Sequence, residues 1–211
     1  MNKSFKKRII EFENNTQSDV KEYCKKNNKK YNNSFNFNHP EIDETTKVII
    51  IGTFTPKNGR DNGYYYCSKR NEMYKILDTF FYDVKNIKTR FSEIKAELVE
   101  NPKNNDKINE LKNEFKKYNI ALLDVLDYAV SPDDSPADDD IEFFNLDYKT
   151  FNKYKNSKAV FICNSRNAES AFEIITKHNS CELKKDYAPQ IWRTLRVKRQ
   201  DKWNEVLSKY L

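Results

Sequence analysis

Residues 48–77 read VIIIGTFTPKNGRDNGYYYCSKRNEMYKIL, and the fold turns on how they begin. Val48, Ile49, Ile50 and Ile51 form a continuous β-branched run, the pattern of a parallel strand covered on both faces. Gly52 lets the chain leave that strand sharply. In open α/β sheets ligands collect at the carboxyl ends of the strands, so the aromatic- and amide-rich loop that follows predicts a ligand-binding strand end.

Working outward, 71–81 has helical spacing, and the charged stretch 90–118 predicts one or two helices broken near Asn101-Pro102. A second strand is expected over 120–126. The loop SPDDSPADDD at 131–140 carries two prolines and ends the apolar pattern. A short helix over 148–157, a third strand at 159–163 and a helix at 166–178 follow. A fourth strand at 181–187 is less apolar and therefore nearer an edge, and 197–210 closes the chain as an amphipathic helix with Trp203, Val206 and Leu207 inward. Strands alternating with helices predict a parallel sheet in an α/β fold.

With 211 residues the chain suits one domain with a real core. Residues 1–38 read as a basic helix followed by the polar, low-complexity KKNNKKYNNSFNFN, a composition that predicts a mobile arm, with His39-Pro40 opening the body at 39–211. Such an arm either tracks phosphates or only solubilises. Lys plus Arg number 38 against 32 Asp plus Glu, a net charge of +6. Many acids fall in 133–142, which leaves both ends of the chain basic and suits nucleic acid, although a solvated mixed surface accounts for the same excess.

The cysteines at 24, 67, 163 and 181 lack paired spacing, and the histidines at 39 and 178 stand far apart, so no metal site and no cofactor is expected. No run approaches the roughly 18 apolar residues of a membrane span, and the N-terminus lacks a signal peptide's apolar core. A cytoplasmic monomer with reduced thiols is the expectation.

The opening segment resembles the first motif of the uracil-DNA glycosylase superfamily, in the branch of mismatch-specific and hypoxanthine-DNA glycosylases. There a strand ends G-S-F-P and a loop follows with Y-Y-G-H-P-x-N-x-F-W; here Gly52, Thr53 and Phe54 match, then Tyr64 to Tyr66, Arg70 and Asn71. FKKYNIALLDVLD at 115–127 is similar to the family's I-G-L-W-D-V strand through Ile120, Leu122, Asp124 and Val125. AVFICNSRNAESAF at 159–172 is similar to the strand ending F-N-G-x-x-A, with Asn164 and Ala168 in register. YAPQIWRTLRVKRQDKWNEVL at the C-terminus falls where the family has T-S-P-A and K-x-x-x-W, matched by Pro189 and Trp203. The resemblance spans 40–207 and implies a three-layer α/β/α sandwich around a four-stranded parallel sheet, acting on DNA as a monofunctional glycosylase.

Hydrolysing a C1′–N bond builds positive charge on the sugar and negative charge on the departing base. Preorganised donors against the base and a positioned water serve that chemistry, and a carboxamide supplies both an acceptor and donors. The resemblance implies Asn71 as the catalytic amide; a helix cap is the alternative. Asp124 either orients water or caps a turn. Gly52 and Thr53 border the base pocket. Phe54, Tyr65 and Tyr66 offer faces for a flipped base or pack the core, and Asn164 either reads the base edge or forms a turn. Arg70, Ser165, Arg166, Gln190, Ile191, Trp192, Arg193 and Arg196 are expected against DNA, with Ile191 or Trp192 as a wedge or Trp192 as a core seal.

Phe54 replaces the catalytic Asn or Asp of other branches, Cys67-Ser68-Lys69 replaces Gly-His-Pro, and Ala188 replaces a serine. Those departures shift the expected substrate from plain uracil or hypoxanthine toward a bulky modified base. Branch members implied in anti-phage defence excise glucosylated hydroxymethylcytosine, which suits a widened pocket. No lysine obviously supports a Schiff-base lyase step; Lys69 lies close in sequence, but a lysine on an exposed loop is a poor nucleophile near neutral pH. A silent DNA-binding module that senses modified bases is the alternative; a flavodoxin-like nucleotide binder lacks its phosphate-cradling glycine loop.

Overall fold

The computed structural model describes residues 4–33, 42–131, 140–188 and 196–211. Its first half holds α1 (Phe5–Phe12), α2 (Gln17–Asn27), β1 (Asn32–Asn33), β2 (Val48–Gly52), α3 (Lys57–Asn62), α4 (Met73–Lys85), α5 (Phe91–Glu100) and α6 (Asn105–Lys117). The second half holds β3 (Ile120–Asp124), β4 (Leu126–Val130), β5 (Phe143–Leu146), α7 (Tyr148–Lys153), β6 (Val160–Cys163), α8 (Arg166–His178), β7 (Lys185–Tyr187) and α9 (Arg196–Ser208).

The β-branched run becomes the strand it predicts. Every residue of β2 is buried, and β2 pairs in parallel with β3 on one side and β6 on the other, giving a four-stranded sheet in the order β3-β2-β6-β7. Alternation along the strands divides the core in two. Val48, Ile50, Ile120, Leu122, Val160 and Ile162 face α4, α5, α6 and α9, where Trp203, Val206 and Leu207 are buried as expected. Ile49, Ile51, Ala121, Leu123 and Phe161 face the other way, with residues of α1, α7 and α8. The fold is therefore an α/β three-layer sandwich, with a covered sheet between two outer layers. Among the described residues no helix is long and apolar enough to cross a membrane.

Two elements depart from the expectation. The strand expected over 120–126 is two: β3 ends at Asp124, and after Val125 the chain enters β4, which pairs antiparallel with β5 and with β1. The resulting three-stranded sheet joins the second outer layer, where Leu126, Ala129, Phe144 and Leu146 share one core with Phe5 and Ile9. The basic N-terminal segment is likewise part of the folded body over its described residues, not a mobile arm. Phe5 and Ile9 are fully buried, the Phe5 ring lies 5.2 Å from that of Phe144, and Val20 and Cys24 pack on Val130. Its apolar residues fall four apart, so both short helices carry a buried stripe beneath a charged exterior. Residues 34–41, including His39-Pro40, and 132–139 of the acidic loop lie outside the described residues.

Candidate functional site

The sheet order fixes where a site can form. The chain goes from β2 to β3 on one side and then crosses to β6 on the other, so β2 and β6 flank a topological switch point. Helical connections leave the sheet in opposite directions there and a crevice opens beyond the carboxyl ends. Gly52 closes β2 with Thr53 next to it, Asn164 and Ser165 follow β6, and Asp124 closes β3.

These residues touch through a small set of bonds. The Asn164 carboxamide Nδ2 donates to the Tyr66 hydroxyl at 2.6 Å, and the Thr53 and Ser165 hydroxyls lie 3.3 Å apart. Asp124 is 2 % exposed, and its Oδ2 accepts from the Thr55 backbone N–H and hydroxyl, each at 2.8 Å. Gly52 makes this packing possible: a Cβ there would meet Asp124 Oδ1 at 2.7 Å and the Tyr66 hydroxyl oxygen at 2.8 Å. Tyr66 itself holds a left-handed backbone with φ 53°, a conformation costly for an aromatic residue and retained here where its ring reaches across the strand end.

Ser165 also caps α8 by accepting from the Ala168 N–H at 3.0 Å, which anchors the helix whose N-terminus faces the strand end. Arg166, exposed, pairs with Glu169 and lies 3.9 Å over the Tyr187 ring. Phe54 is half-buried, packs on the second core, and receives the Arg60 guanidinium 5.3 Å from its centroid. The structure thus gathers Gly52, Thr53, Tyr66, Asp124, Asn164 and Ser165, with Phe54 in the adjoining loop.

Tyr65 and Asn71 lie elsewhere. Tyr65 is fully buried with its ring edge-on to Tyr64 at 5.4 Å, so both supply core while Tyr66 reaches the site. Burial raises the Tyr64 phenol above its ordinary value and pushes the Cys67 thiol up to about 12, leaving neither ready to ionise. The Asn71 Oδ1 accepts from the Met73 N–H at 2.9 Å, a turn bond just ahead of α4, whose N-cap is Glu72. Its neighbours are Arg70, exposed, and Lys95, whose ammonium donates to the Asn71 carbonyl. Gln190, Ile191, Trp192 and Arg193 lie outside the described residues, as does the side chain of Arg196, which begins α9.

Sequence reasoning did not single out Thr55, which holds Asp124, or Arg60, whose guanidinium binds the Thr55 carbonyl at 2.6 Å. The only signal for Thr55 was a second hydroxyl in G-T-F-T, a weak one. No family model matches the chain, and neither curated proteins nor solved structures yield a match.

Proposed function

We propose that the protein is a monofunctional DNA glycosylase that binds an extruded base at the carboxyl ends of β2, β3 and β6. The observation that carries the reading is the convergence of Gly52, Tyr66, Asp124 and Asn164, drawn from three separated motifs, at the switch point of the sheet. Their order along the chain is that of the superfamily the sequence resembles.

In this reading Asp124 is the charged group of the reaction. A carboxylate fixed by two Thr55 donors sits in a low-dielectric strand end, where it stabilises the oxocarbenium sugar or holds the attacking water. Asn164 and the Tyr66 hydroxyl form a donor pair for the base edge, and anionic charge on the departing base strengthens those bonds. Phe54 offers a stacking face from the adjoining loop. The substrate class proposed is a modified base, with glucosylated hydroxymethylcytosine of phage DNA ahead of uracil and hypoxanthine; this rests on the resemblance alone, in which Cys67-Ser68-Lys69 and Ala188 depart from the motifs for the smaller bases, since Cys67 and Ala188 are buried in the first core and Lys69 lies on the α4–α5 face.

Incubation with oligonucleotides carrying each of these bases, followed by alkali, tests the reading. One base should yield a strand break, and Asp124→Asn, which keeps an acceptor for Thr55, should slow it about 10²–10³-fold without moving the thermal midpoint. Unchanged cleavage in that variant overturns the role of Asp124. One observation favours a silent DNA-binding module instead: Asn71, Asp124 and Asn164 all make internal hydrogen bonds. Salt-sensitive binding of DNA without any alkali-labile product would decide for that module.

A further inference from the structure

A second site lies on the α4–α5 face, in a groove of about 760 Å³ lined by residues 69–72, Lys75, Ser92, Lys95, Ala96, Val99 and Glu100. Lys69, Arg70 and Lys75 are exposed at its rim, and Lys95 enters from α5 at 9 % exposure. Of the two acids in the lining, Glu72 is paired with Arg199 and Glu100 is exposed, so Lys69, Arg70, Lys75 and Lys95 leave the lining with an excess of cations.

Lys95 is the informative residue. The hydrogen-bond and ring partners of its ammonium are the Asn71 carbonyl and the Tyr74 ring at 5.9 Å, both uncharged, and the opposing electrostatic effects of Cys67 and Glu72 are smaller than that of burial. Burial accordingly holds the amine below its ordinary value. An ammonium has three donors, and an anion in the groove would recover part of the desolvation cost. Beside it the Ser92 hydroxyl oxygen is buried without a hydrogen-bond partner among the described residues, on the wall of the same groove. A buried hydroxyl of that kind is costly unless an acceptor completes it.

We propose that this groove seats one phosphodiester of a DNA strand, with Lys95 and Ser92 as inner donors and Lys69, Arg70 and Lys75 as outer cations. The identity of the strand rests on the glycosylase reading above; the anion chemistry does not. The two non-bridging oxygens of a phosphodiester accept from ammonium, guanidinium and hydroxyl groups together, and a DNA strand is held chiefly through such contacts. The site also assigns a use to Arg70 and Lys69 that needs no approach to a base.

The test is binding of labelled, undamaged duplex, measured by anisotropy over a salt series, for the wild type, Lys95→Met and the rim variant Lys69→Ala/Arg70→Ala/Lys75→Ala. The slope of log Kd against log salt should fall by about 0.9 for each phosphate the variant no longer neutralises, and both variants should bind more weakly. The rim variant keeps the test open where Lys95→Met fails to fold. In parallel, ¹³C-dimethylated Lys95 is followed by NMR against the duplex and against inorganic phosphate, and its pKa should rise with duplex. Unchanged slopes with an unmoved Lys95 signal overturn the proposal. A signal that moves with inorganic phosphate while the slopes stay fixed also overturns it, in favour of a small-anion site. Weakened binding in both variants alongside absent base excision would sink the glycosylase and leave the groove standing.

Discussion

At the residue scale, position 127 shows how context sets chemistry. Asp127 stands where the β4–β5 register shifts, half-buried, with Asn145 Nδ2 donating to it at 3.4 Å. Burial, then the charge of Asp147, raise its carboxyl from 3.8 to about 6, against smaller opposing effects of Asn145, Lys149 and Lys21. The folded state therefore holds the proton more tightly than the unfolded chain. Its contribution to stability is greatest below pH 3.8 and is lost as pH rises through about 6. Asp127→Asn, which retains an acceptor for Asn145, should raise the thermal midpoint at pH 7–8 and change it little near pH 4. A gain independent of pH would show that Asp127 ionisation is not the cause.

At the scale of elements, the start of α4 sets a structural use of Asn71 beside the catalytic one that its motif implies. Asn71 supplies its side-chain oxygen to the Met73 N–H, and its carbonyl to Lys95. Removing a side chain–backbone hydrogen bond of this kind costs about 0.5–1.5 kcal/mol. Asn71→Ala should lower the urea midpoint accordingly while leaving turnover on the excised base within a few-fold. Loss of turnover with the midpoint intact would instead return Asn71 to the role its motif implies. The helices themselves were readable from periodicity: 166–178 forms α8 with those bounds, and the break at Asn101-Pro102 divides α5 from α6. The β4–β5 hairpin was not, because its strands are short, flank the acidic loop, and follow β3 after one residue.

For the whole molecule, the N-terminal helices bind the two sheets into one body. Phe5 and Ile9 close a core that reaches from Ile51 of β2 to Phe144 of β5. Deleting residues 1–33 would expose that face and remove β1 from the edge of β4. Fully buried Phe residues are worth about 3–5 kcal/mol each against alanine, a large share of a domain's 5–15 kcal/mol. The shortened protein should lose its cooperative thermal transition or melt far below the full chain. A sharp transition at the original midpoint would show instead that 34–211 folds alone.

Local rules carried much of this protein in the sequence by itself. The β-branched run at 48–51, the alternation of strands with helices, and the inward face of Trp203, Val206 and Leu207 each follow from periodicity, which needs no knowledge of distant residues. The strand order and the encounter of Gly52 with Tyr66, Asp124 and Asn164 belong to tertiary structure, because they join positions up to 112 apart in the chain, as between Thr53 and Ser165. Tertiary packing also sorted three adjacent tyrosines, sending Tyr64 and Tyr65 to the core and Tyr66, through its left-handed backbone, to the strand end. Composition made residues 4–33 look like a solvated arm, and only a hydrophobic surface elsewhere in the chain could turn their narrow apolar stripe into core.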